Sequence, residues 1–145
     1  MRKFLSIALL VFTSSFPSAA SGQSADGKKL LHAELAKDRE SESTNKFLSD
    51  TPKIVAFWTG DALKLGDKIR AIWIAEDVGY AELHNSKVTE SFAVAYKPDD
   101  WGSFGLARPK TGWVLGKYRL ELYVGTTLAE TLSFTIEQGA EIQAP

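Results

Sequence analysis

The chain contains no cysteine. That excludes disulfides, thiolate metal sites and thiol nucleophiles, so the fold must rest on its core alone. Histidine is nearly as scarce, with His32 and His84 the only two. Neither stands in a Ser–His–acid pattern, and two imidazoles with no further ligands in place do not make a metal centre. No charge sign dominates: 17 Lys+Arg stand against 18 Asp+Glu, a formal net charge of −1. The basic stripe that phosphates demand is missing, which excludes nucleic acid and argues against adhesion to anionic lipid. Gly-x-Ser-x-Gly, a phosphate-binding glycine loop and His-Glu-x-x-His are all absent. Scattered acids give no glycosidase signal either. No catalytic set, metal or cofactor is expected.

Long apolar runs are also lacking. The exception, Phe4 to Phe12, is broken only by Ser6. It falls well short of the roughly 20 apolar residues a spanning helix needs. Arg2 and Lys3 precede it, and Pro17-Ser18-Ala19-Ala20 follows with small residues for a peptidase. Residues 1–20 therefore read as a secretory signal peptide cut after Ala20. The mature chain is expected in the periplasm or outside the cell, and not as an integral membrane protein. Losing Arg2 and Lys3 makes it slightly more acidic.

Residues 21–51 are rich in Ser, Asp, Glu, Lys and Asn. Such a segment buries too little to offset its ordering entropy, and reads as a polar tether, partly helical at most, that is ordered only if it docks. Asp26 to Arg39 has helix formers and apolar residues at Leu30, Leu31 and Leu35, the pattern of a short amphipathic helix. From Pro52 onward, aromatic and β-branched runs alternate with turn residues. Strands are expected at Ile54–Thr59, Lys68–Glu76, near Ala81–His84, Val88–Tyr96, Ser103–Ala107, Lys117–Val124 and Leu128–Glu137. The segment Gly112 to Val124 is the most informative. Tyr118, Leu120, Leu122 and Val124 fall on one face, and Lys117, Arg119, Glu121 and Tyr123 on the other. That is the period of a half-buried antiparallel strand. The whole reads as an all-β domain over residues 52–138, a sandwich of six to seven strands, with a loose tail at 139–145.

Gly116-Lys117-Tyr118, followed by that alternation, resembles the start of strand F in immunoglobulin-like domains. There the tyrosine is a corner residue whose hydroxyl bonds nearby backbone. Leu120 stands where antibody domains carry their second cysteine, and Trp73 precedes it at a spacing that suits the core tryptophan of strand C. The series Gly112-Trp113, Gly116-x-Tyr118, Tyr123 and Phe134 is similar to bacterial exported immunoglobulin-like or fibronectin III-like modules. The resemblance spans residues 52–138. It implies an antiparallel immunoglobulin-like sandwich and says little about function, since that architecture hosts many roles.

Binding residues are sought among aromatics and charges. Trp73 reads as core, and Trp58 ends a strand beside Phe57. Trp101 and Trp113 lie in turns and are candidate exposed rings. The acids Asp61, Asp67, Glu76-Asp77 and Asp99-Asp100 match no calcium loop and read as solvated turns. The polar strand face Lys117, Arg119, Glu121 and Tyr123, beside Thr131, Ser133 and Thr135, offers a flat recognition surface. The reading is a non-catalytic exported module that binds a protein partner in the cell envelope through Trp101, Trp113, Arg119 and Tyr123. Two alternatives stand beside it. One is inhibition of an exported hydrolase by Lys97–Ser103 or Arg108–Trp113. The other is glycan binding by the exposed tryptophans.

Overall fold

The computed structural model describes residues 29–79 and 81–139. The expected signal peptide and most of the expected tail lie outside them, as does the start of the expected helix. The described residues form β1 (Leu31–Ala36), β2 (Lys46–Leu48), β3 (Lys53–Gly60), β4 (Lys68–Val78), a 3-10 turn (Ala81–Leu83), β5 (Ser86–Val94), β6 (Trp101–Ala107), β7 (Gly116–Val124) and β8 (Thr127–Glu137). They pair as a three-stranded sheet, β1-β3-β6, and a five-stranded sheet, β2-β8-β7-β4-β5. All pairings are antiparallel except β2 with β8.

Alternation builds the core. Leu31, Leu35, Ile54, Ala56, Trp58, Phe104 and Leu106 face inward from the smaller sheet. Ile69, Trp73, Tyr118, Leu120, Leu122 and Phe134 meet them from the larger. Trp73 lies opposite Leu120 in the β4–β7 register, and both are fully buried. Phe134 stacks on Tyr118 at 5.4 Å and meets Trp73 edge-on at 5.9 Å, arrangements that aromatic quadrupoles favour. The Tyr118 hydroxyl donates to the Val114 carbonyl, as the resemblance implies. The chain enters β7 through Gly116 at φ 141°, where a Cβ would stand 2.4 Å from the Asp77 carbonyl oxygen. Only glycine fits this entry. The architecture is an all-β, immunoglobulin-like sandwich.

Several expectations are corrected. The segment read as a tether is built into the domain: its described part supplies β1 and β2. The helix expected over Asp26 to Arg39 gives way to a strand from Leu31. Leu31 and Leu35 satisfy a period of two as well as a helical one, with Ala33 between them packed on the core. Pairing of β1 with β3 satisfies backbone groups that a short isolated helix holds only marginally. The sandwich therefore begins before Pro52. Near Ala81–His84 the expected strand is a 3-10 turn, closed by Asn85 at φ 55°. Trp101 opens β6 instead of lying in a turn.

Candidate functional site

β5 is an edge strand of the five-stranded sheet. Ala95, just past its end, is fully buried and Ala93 packs on the core, so the larger alternate residues point away. Phe92 is 52% exposed, Val94 45% and Tyr96 76%. The registers carry this stripe onto the sheet's outer face: Phe92 lies opposite Arg70, and Arg70 opposite Tyr123. One residue pair further along, Glu90, Ile72 and Glu121 make a second row.

Cations and rings are interleaved on this face. The Arg70 guanidinium carbon lies 4.7 Å from the Tyr123 ring centroid, and Lys68 Nζ lies 4.1 Å from that of Phe92. Such contacts are attractive and hold the long side chains flat against the sheet. Glu121 organises the centre. It accepts from the Tyr123 hydroxyl at 3.0 Å and from Arg119 Nε at 3.1 Å. Arg119 Nη1 also donates to Asn85 Oδ1 at 2.8 Å. Burial, with the Glu121 carboxylate beside it, pushes the Tyr123 phenol above its ordinary range.

The four residues singled out from sequence do not share one surface. Arg119 and Tyr123 do, on the outer face of the five-stranded sheet. Trp101 is 60% exposed but lies on the three-stranded sheet, with the Arg39 guanidinium 5.5 Å from its ring. Trp113 is not exposed. It is 9% accessible, and its indole N–H donates to the Thr51 carbonyl at 2.7 Å, so it seals the sandwich. Sequence reading missed Arg70, Lys68 and Phe92. The Phe-Ala-Val-Ala-Tyr alternation was the available signal, because alanines pack against a crowded core and send the larger set outward.

Two of the acids in turns serve the backbone. Asp100 accepts from the Tyr96 and Trp101 amides at 2.9 and 3.0 Å, and the Tyr96 bond is the main reason its carboxyl is held below the usual range. Asp67 caps Lys64 N at 2.8 Å. The Lys97–Asp100 turn is tied to its neighbour through Gly60 N to Asp100 O and Leu63 N to Pro98 O. His84 Nε2 sits 3.1 Å from Asp77 Oδ1, while His32 Nε2 sits 3.9 Å from Asp61 Oδ2. Among the described residues, no three His, Cys, Asp or Glu side chains converge to hold a metal. No helix among them is long and apolar enough to cross a membrane.

No protein-family model matches the chain, and no curated protein matches it in sequence. Among solved structures, an immunoglobulin-like protein from Pseudomonas aeruginosa aligns with 74% of this chain and 91% of its own, at 14% identity and a TM-score of 0.44. A β-glucosidase from Listeria innocua in complex with glucose aligns over 78% of this chain, at 9% identity and a TM-score of 0.44. Another from Kluyveromyces marxianus aligns over 77%, at 10% identity and a TM-score of 0.39. The chain spans only 17% and 15% of those two enzymes. The likeness is one of fold: this chain is similar to immunoglobulin-like sandwich modules.

Proposed function

We propose that the protein is a non-catalytic, exported module that binds another protein through the outer face of its five-stranded sheet. The observation that carries this is the row Phe92–Arg70–Tyr123, continued by the exposed Val94 and Tyr96. Aromatic and Arg side chains concentrate binding energy at protein interfaces, and a contiguous apolar stripe with a polar surround marks such surfaces. Here the arginines already lie flat on rings or against Glu121. Little side-chain entropy remains to be lost on docking. The signal-like N-terminus supports a periplasmic or secreted location, and the partner would then be an envelope or secreted protein.

Immobilised mature chain and its Phe92→Glu and Tyr123→Ala variants, exposed in parallel to an envelope fraction, test this reading. A defined protein retained by the parent and lost with both variants, at unchanged melting temperature, supports it. Equal retention by all three would remove the surface from consideration.

A further inference from the structure

The opposite side of the sandwich carries a second feature that the protein-binding face does not explain. After β1, the chain turns at Asp38. One carboxylate oxygen, Oδ1, accepts from Glu40 N at 2.9 Å, Ser41 N at 2.7 Å and Ser41 Oγ at 2.8 Å. This fixed turn lies over the outer face of the three-stranded sheet. It leaves a cleft of about 170 Å³ lined by Glu34, Ala36, Arg39, Ser41, Ser43 and the half-buried Phe57. The β3–β6 register puts Thr59 opposite Trp101 and Phe57 opposite Ser103, so Phe57 and Trp101 are diagonal neighbours on one face. Beyond Trp101, the outward positions of β6 are Ser103, Gly105 and Ala107, all small. Gly105 is not forced by packing, since a Cβ there would meet only the Lys53 stem, at 3.4 Å. The floor is flat although the fold leaves room for side chains.

We propose that this cleft and the Trp101 ring beside it form a binding site for one ring of a saccharide. The chemistry selects among ligands. The carboxylates of Glu34 and Asp38 disfavour an anion, and the Arg39 guanidinium already supplies the cation at the Trp101 ring. A purely apolar ligand leaves the carboxylate and guanidinium unpaired at its edge. A pyranose presents an apolar C–H face to Phe57 and Trp101. Its hydroxyls both donate and accept, so they satisfy Glu34, Arg39 and Ser43 together. The open end along β6 leaves space for the ring to belong to a longer glycan.

The test titrates the mature chain with chitotriose, cellotriose and maltotriose by calorimetry, and follows the tryptophan indole N–H signals by NMR. At least one trisaccharide binds saturably and shifts the Trp101 indole signal. Trp101→Ala weakens that binding about tenfold or more, Arg39→Ala weakens it too, and Trp101→Phe restores part of it. Both alanine changes are at the surface, and thermal melts confirm that the variants fold. Phe92→Glu leaves sugar binding unchanged, which separates this site from the protein-binding face. Absence of saturable binding by all three sugars overturns the proposal. So does binding that neither alanine variant weakens, or shifts confined to the five-stranded sheet.

Discussion

Two hydrogen bonds made by buried aromatic side chains fasten the ends of the sandwich. Tyr118 ties the entry of β7 to Val114, and Trp113 ties the preceding loop to Thr51. Removing one donor leaves a carbonyl short of a partner, at a cost of about 1–3 kcal/mol. Tyr118→Phe and Trp113→Phe should each lower unfolding stability by that order in urea titrations, without altering partner capture. Tyr118 also makes an alkaline prediction. Burial raises its phenol above the ordinary value of 10.0, so the unfolded chain gives up this proton at lower pH than the folded one. The contribution is complete below pH 10 and is lost as pH rises through the folded value. Stability against pH should therefore fall above about pH 10, and Tyr118→Phe should flatten that limb. The corner tyrosine was legible through the resemblance of Gly116-Lys117-Tyr118 to the start of strand F in immunoglobulin-like domains. Trp113 was not, because its neighbours form a turn and nothing local shows that Thr51 lies across from it.

At the scale of elements, β1 and β5 show where local pattern runs out. Six residues with two leucines four apart fit a helix and a strand equally, and only a free edge on β3 decides between them. The consequence is testable by truncation. A chain starting at Pro52 loses Leu31, Leu35 and Phe47, all buried. At about 1.5–3 kcal/mol for each, the loss rivals the whole stability of a typical domain. Such a fragment should lack a cooperative thermal transition by circular dichroism; a cooperative melt near that of the full chain would show the strands to be dispensable. β7 was readable in both faces. Its entry depends on a single backbone position, so Gly116→Ala should destabilise by well over about 1 kcal/mol, since φ there is positive and the Asp77 carbonyl blocks the Cβ. For β5, the alternation of Phe92, Val94 and Tyr96 with Ala93 and Ala95 separates two faces but does not tell which one is buried, since that depends on how much room the core leaves.

Across the whole molecule, the two sheets turn different surfaces to solvent. The five-stranded sheet presents Phe92, Arg70, Tyr123 and Arg119. The three-stranded sheet presents Trp101, Arg39 and the cleft over Phe57. The all-β class and the burial of Trp73 and Leu120 were plain from periodicity. The division of candidate residues between two opposite faces was not, because it follows from strand order, and strand order is set by long-range pairing. Hydrogen exchange on the captured partner complex tests the protein-binding face most directly. Slowed exchange over β4, β5 and β7, with β1, β3 and β6 unchanged, is the expected result. Protection confined to the three-stranded sheet, or to the loops at either end, would contradict it.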